Sequence, residues 1–415
     1  MGYAKERFER GLSFVAGSVC AECLGGDPGL ADFVVGSASE DVCDFCGKES
    51  DGGPVAVPVD DVVDYINECL TRDYEDPVEH VGWCSEDGGW GIPVMHTDEL
   101  LCQELGLELP NDDDEKLLDA LCDGLGGRSR EWVRRNPYGA APEEVSIWSW
   151  ERFSRVVKHA RRFFFLDHRE GDYRGHDELL SPQELLRRIT DFSVAQGLVR
   201  VIPPGTRLYR VRKAPPGERP STPLELGPPP EDRCLWPTRM SPAGIPMFYG
   251  ADDLDTALQE TLDGPGTYII ARFEVTRDVL ILDLTDVPRI PSIFEPVSDT
   301  AERDPRYELI FLHRFTRDVS EPIDRKDRAH VDYVPTQVVA EYFRSVPLDD
   351  GRQLDGIKYT SAQRPPHSCY ALFADQRAVA PSEEDVRRHQ AEKSYGLLGH
   401  DHAWLRLIDS TEHVV

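Results

Sequence analysis

The sequence predicts an α+β protein in two unlike parts: a mainly helical N-terminal half bearing a small four-cysteine knot, then an α+β domain. Three observations predict it. Residues 1–130 hold 30 Asp and Glu against 8 Lys and Arg, or −22 of the total −30, so an acidic first part precedes a more balanced remainder. Cys20-Ala-Glu-Cys23 and Cys43-Asp-Phe-Cys46 set two C-x-x-C turns 19 residues apart. From Leu198 onward helical periodicity gives way to short strand patterns between Pro- and Gly-rich loops.

Taken in order, the knot occupies about residues 15–50, where Gly25, Gly26 and Gly47 give its turns backbone freedom. "VDDVVDYINECL", "TDELLCQELGL" and "NDDDEKLLDALCDGL" then read as helices, the last opening on Asn111 and acids and stopping at "GLGG". After the break "RRNPYGAAPEE", a long aromatic and basic helix is expected over "VSIWSWERFSRVVKHARRFFFL". "SPQELLRRITDFSVAQGLV" follows, with Pro182 at a first helical position. In the second half "GTRLYRVRKA" reads as a strand, and the Pro-rich stretch after it as a surface loop. "FYGA" ends a strand that runs into the helix "DDLDTALQE", whose Leu254, Ala257, Leu258 and Leu262 recur at helical spacing. "TYIIARFEVTRDVLILDLTD" reads as two strands about a turn at Thr276–Asp278. "RYELIFLHRFTRDV" and "PTQVVAEYFRSV" read as helices, "LDGIKYTSA" and "SCYALFAD" as closing strands. The domains expected are 1–195, 198–376 and a helical tail with a loose terminus over 377–415.

Composition excludes several classes. No apolar run approaches the roughly 18 residues that a membrane helix needs. Ten Cys in 415 residues are too few for a disulfide scaffold, which points to a reducing compartment and a cytoplasmic location. A net charge of −30 repels phosphates and disfavours nonspecific nucleic-acid binding.

Cys20, Cys23, Cys43 and Cys46 have the spacing of a structural Zn²⁺ site, in which four thiolates leave no coordination position open for chemistry. The remaining Cys lack ligand spacing and read as core residues. In "WERFSRVVKHARR", Arg152 and His159, flanked by Arg155 and Lys158, could serve an RNA-cleaving site; an ordinary basic helix face explains them as simply. In the α+β half stand Arg210 in "RLYRVR", Arg239 in "TRMS", Tyr249 in "FYGA", Glu260 in "ALQET" and Ser361 in "YTSA". Each alone could be an edge charge, a core aromatic, a solvated helix glutamate or a turn hydroxyl.

As an ordered set, these five resemble the RES family, named for the Arg, Glu and Ser its members share; the resemblance covers about Thr206 to Asp375. The part before it, on "SWERFSRVVKHARRFFFL" and the Cys pairs, resembles the HEPN-type region that precedes RES domains in some longer proteins. Departures are the long loop after Arg212, "TRMS" where Arg-Trp-Ser/Asn is commoner, and the long interval from Glu260 to Ser361.

The resemblance implies an ADP-ribosyltransferase-like fold with a cleft between two small sheets. It implies NAD⁺ as substrate, cleaved at the nicotinamide–ribose bond by hydrolysis or phosphorolysis in a toxin or defence effector. Glu260 would face the ribose, Arg210 and Arg239 the pyrophosphate, Tyr249 the nicotinamide ring and Ser361 its carboxamide; Gln337 and Glu341, four apart on one helix face, are expected to line the same pocket. An antitoxin or immunity protein is the protein partner it implies, and self-association stays open. Alternatives are an ADP-ribosyltransferase acting on a macromolecule, and a HEPN-type ribonuclease or nucleic-acid-interacting protein with an inactive NAD site.

Overall fold

The computed structural model describes residues 2–50, 52–86, 88–110, 115–164, 179–297, 304–321, 328–391 and 403–415. The chain forms two compact units, Met1–Ala141 with Ile290–Tyr307, and Pro142–Arg289 with Glu308–Val415. Compaction thus divides the chain well before the expected limit at 195, and a later segment returns to the first unit.

In the first unit the helix Val59–Leu70 turns Val62, Val63, Ile66 and Leu70 onto a core shared with Leu117, Leu121 and Trp132. Ile293 and Phe294 of the returning segment are buried in that same core. The Tyr65 hydroxyl donates to the Phe294 carbonyl at 2.6 Å. Gly29 makes the close approach possible, because a Cβ there would lie 2.5 Å from the Phe294 carbonyl carbon. Arg7, 1% exposed, is neutralised between Asp60 and Asp64 at 3.0 and 2.7 Å. Helices predominate, joined by small strand pairs such as Ser18–Cys20 against Ala56–Pro58. The expected helix start at Asn111 lies outside the described residues.

The second unit opens with helices α1 (Pro142–His159) and α2 (Pro182–Ala195). Their Trp150, Phe153, Val157, Leu185, Leu186 and Ile189 pack with Leu309, Phe311 and Phe315. That shared core is why these helices belong to this unit. The first was expected to run to Leu166; it ends at His159, and residues 165–178 lie outside the described ones.

Eight strands follow: β1 (Val199–Ile202), β2 (Arg207–Lys213), β3 (Phe248–Ala251), β4 (Thr267–Val275), β5 (Val279–Asp283), β6 (Gly356–Thr360), β7 (Ser368–Leu372) and β8 (Leu405–Val414). They form one sheet in the order β8-β4-β2-β3-β7-β6-β5-β1. Only β5 and β6 run parallel. A parallel neighbour demands a long crossover. That crossover carries the segment returned to the first unit, then helices spanning Pro305–Ser320 and Val334–Ser345.

Three expectations change here. The cleft between two small sheets is instead a weak seam in one sheet, where β3 meets β2 at the single pair Ala251 and Tyr209. Among the described residues the expected helical tail holds the α-helix Glu383–Ala391 and, beyond it, β8, which pairs along β4 from Thr267 to Val275. Without β8 the backbone of β4 would be an open sheet edge. The Pro-rich stretch after β2 is also more than a surface loop, since Leu226 in it is fully buried.

Candidate active site

The seam between β2 and β3 opens into a cavity of about 910 Å³, whose lining includes Tyr209, Arg210, Tyr249 and Gly250. Because β2 pairs β3 only at Ala251, the Tyr249 carbonyl takes its hydrogen bond from a side chain: Arg210 Nη1 donates to it at 2.8 Å. Arg210 Nε donates to the Leu226 carbonyl at 3.1 Å. Both partners are neutral. Burial, with Arg212 beside it, pulls the Arg210 guanidinium down to about 10. A desolvated cation held by carbonyls favours an anionic ligand.

Arg239, 9% exposed, also lines the cavity. Its Nη1 donates to the Val319 and Glu321 carbonyls at 2.6 and 2.8 Å, at the C-terminal end of the helix Pro305–Ser320, where a cation is favoured. The guanidinium lies 5.4 Å from the Tyr333 ring centre and 5.9 Å from that of Tyr359. Arg239 therefore has a structural task besides any ligand contact.

Tyr249 reaches the cavity with its ring, while its hydroxyl is engaged elsewhere. That oxygen lies 2.5 Å from Thr238 Oγ1 and accepts from the Met240 amide at 3.2 Å. Burial is the largest influence on the phenol and raises its pKa, although these hydrogen bonds oppose the rise. The residue thus anchors the segment carrying Arg239, in addition to walling the cavity.

Glu260 sits in the last turn of α3 (Leu254–Thr261), with its carboxylate at the cavity wall. Ser361 follows β6 directly and is 1% exposed. Ser361 Oγ accepts from the amides of Gln363 and Arg364 at 3.3 and 3.1 Å. With its lone pairs so used, its proton goes to Glu260 Oε1 at 2.6 Å. Ser361 thus holds the Glu260 carboxylate by a hydrogen bond.

A strap missed in the sequence reinforces this pair. Asp253 caps α3 by accepting from the Thr256 amide at 2.9 Å. Arg364 Nη1 donates to Asp253 Oδ1 at 2.6 Å, and His367 Nδ1 lies 3.2 Å from Asp253 Oδ2. The loop bearing Ser361 is tied in this way to the helix bearing Glu260. Asp253, an acid just before an apolar-periodic helix with Thr three residues on, was the legible part of that signal.

Gln337 and Glu341 do not line the cavity. Gln337 is buried and donates to the Thr238 and Ser241 carbonyls at 2.7 and 3.2 Å, fixing the Arg239 segment from behind; Glu341 is exposed. Cys369 also lines the cavity; burial, and after it the charge of Glu260, pushes its thiol up to about 12, which disfavours the thiolate. His159 shares a separate groove with Arg155 and Lys158, and Arg152 does not line it. That groove also holds Glu151, Asp318, Glu321 and Asp332, and Lys158 lies 3.4 Å from Asp332. Such mixed charge suits a docked helix face better than a phosphate backbone.

In the first unit the four predicted sulfurs converge within 4.8 Å of one another. Cys20 Sγ is 3.8 Å from Cys23 Sγ and 3.6 Å from Cys46 Sγ, and Cys23 Sγ is 3.9 Å from Cys43 Sγ. Tetrahedral zinc with Zn–S bonds of about 2.3 Å needs sulfur separations of about 3.8 Å, so the donor set fits that ion. Burial pushes the Cys20 and Cys23 thiols up, and four thiolates this close would repel one another without a cation among them.

Among the described residues no helix is long and apolar enough to cross a membrane. Comparison with curated proteins and with solved structures gives no match. Family comparison matches HEPN/RES N-terminal domain 1 over residues 36–194 and the RES domain over residues 207–393. The two matches meet between 194 and 207, so the family limit and the compact limit at 141 differ: the last two helices of the first match fold onto the sheet of the second. The chain thus carries a RES domain preceded by a HEPN/RES N-terminal domain.

Proposed function

We propose that this protein degrades NAD⁺ by cleaving its nicotinamide–ribose bond, with water or inorganic phosphate as acceptor, and that it acts as a toxin or defence effector. One observation carries the reading: a carboxylate, Glu260, is aimed by the buried Ser361 at a cavity that also presents Arg210 and Arg239. As the bond from ribose C1′ to the ring nitrogen breaks, its electron pair leaves with nicotinamide and positive charge builds on the ribose. A fixed carboxylate is favoured more in that state than in the ground state, which lowers the barrier. The guanidiniums of Arg210 and Arg239 suit a pyrophosphate, and the Tyr249 ring gives the departing base a flat wall. An oxygen of water or phosphate then bonds to C1′ and gives up its proton.

Zinc has no part in these steps. We assign it to Cys20, Cys23, Cys43 and Cys46 as a structural ion of the first unit.

The test is Glu260→Gln, nearly isosteric but uncharged. We expect the rate of nicotinamide release to fall by about 10²-fold or more, by analogy with the loss of one transition-state electrostatic contact. An unchanged rate would remove Glu260 and the reading with it. Mass spectrometry with and without phosphate distinguishes ADP-ribose from its phosphorylated product. Label from NAD⁺ appearing on macromolecules would instead indicate ADP-ribosyl transfer.

A further inference from the structure

The rim of the cavity bears a largely exposed indole. Leu235 and Trp236, both lining the cavity, are 69% and 81% exposed. Large apolar side chains at such exposure call for an explanation when they border a site. Their backbone is held at both ends. On one side the Gly244 amide donates to the Cys234 carbonyl at 2.7 Å. On the other, the Thr238 amide donates to the Ser241 carbonyl at 2.8 Å, and Gln337 holds the Thr238 carbonyl at 2.7 Å. Tyr249 adds its 2.5 Å contact to Thr238 Oγ1. Pro237 fixes one more backbone angle in between. The result is an anchored arch that presents a flat aromatic face at the mouth of the cavity, with little ordering left to be done on binding.

We propose that Trp236, supported by Leu235, is the stacking platform for the adenine ring of the dinucleotide. This rests on the NAD⁺ reading. If the bond that breaks lies at Glu260, the nicotinamide end is inside, against the wall backed by Ser361. Arg210 and Arg239, both less exposed than Trp236, line the same cavity, where the pyrophosphate would pass. The remaining aromatic end is then adenine, and it reaches outward to the rim. Stacking on an indole requires only a π-face, so the arch supplies affinity and leaves the chemistry to the interior.

The experiment uses the full chain and two variants, Trp236→Ala and Trp236→Phe. For Trp236→Ala we expect the KM for NAD⁺ to rise about tenfold, within the range that base stacking contributes, with kcat little changed. Trp236→Phe should keep most of the affinity. Titrating the wild type with ADP should quench tryptophan fluorescence, Trp236→Phe should bind ADP without that quench, and nicotinamide mononucleotide should not quench. If Trp236→Ala cleaves NAD⁺ with unaltered KM, or nicotinamide mononucleotide quenches and ADP does not, the platform is overturned while the cleavage reading stands. Quenching by ADP in a protein that leaves NAD⁺ intact keeps the platform and removes the cleavage reading. No quenching by ADP and no cleavage overturn both.

Discussion

At the scale of the residue, the Ser361 hydroxyl is committed: two amides fill its acceptor capacity and Glu260 receives its proton. Ser361→Ala removes a hydrogen bond to a charged group, worth about 1.5–3 kcal/mol, and frees the carboxylate to swing. We expect kcat for nicotinamide release to drop about 10- to 100-fold, with KM moving less. An unchanged kcat would show that Glu260 needs no such aim. Arg210, Arg239, Tyr249 and Glu260 were legible because they are chemically distinctive and stand in a specific order; each does line the cavity. Their hydrogen bonds were not legible. Whether Tyr249 turns its hydroxyl toward a ligand or toward Thr238 depends on a segment whose path is set by Gln337, almost 90 positions later. For the same reason Gln337 looked like a pocket residue.

At the scale of the element, α3 and the loop after β6 act as one piece because Arg364 and His367 both reach the helix cap, Asp253. Arg364→Ala should loosen that piece. Both partners are partly exposed, so the stability cost is expected below about 1 kcal/mol, whereas kcat should fall several-fold and recover in part with Arg364→Lys. Equal losses in thermal stability and kcat would mark the pair as merely structural. Burial raises the Asp253 carboxyl, but hydrogen bonds from Thr256 and the charges of Arg364 and His367 outweigh it and hold the group below its usual value. The folded value being the lower one, this contribution is whole above the ordinary Asp value of about 3.9 and fades as pH falls through the depressed one. Strands β4 and β5 illustrate the limit of local pattern. Their residues and the turn between them were readable, yet they pair with different neighbours on opposite sides of the seam. The strand β8 was missed because most of its side chains are polar and exposed, with Leu405 alone fully buried.

At the scale of the whole molecule, the family matches divide the chain between 194 and 207, whereas burial divides what folds together at 141. A fragment beginning at Leu198 would strip Phe311 and Phe315 of the Trp150, Phe153 and Ile189 side chains that cover them. We expect it to aggregate or to lack a cooperative melting transition, and the full chain to show one; a soluble, cooperatively melting 198–415 fragment would refute the shared core. The return of Ile290–Tyr307 has a temporal consequence. Proteins emerge from the ribosome N-terminal end first. The first unit cannot close its core until Phe294 has been synthesised, and at that moment β6, β7 and Ser361 have yet to be translated. Glu260 is therefore made early and meets Ser361 late, only after the leading unit has all its parts.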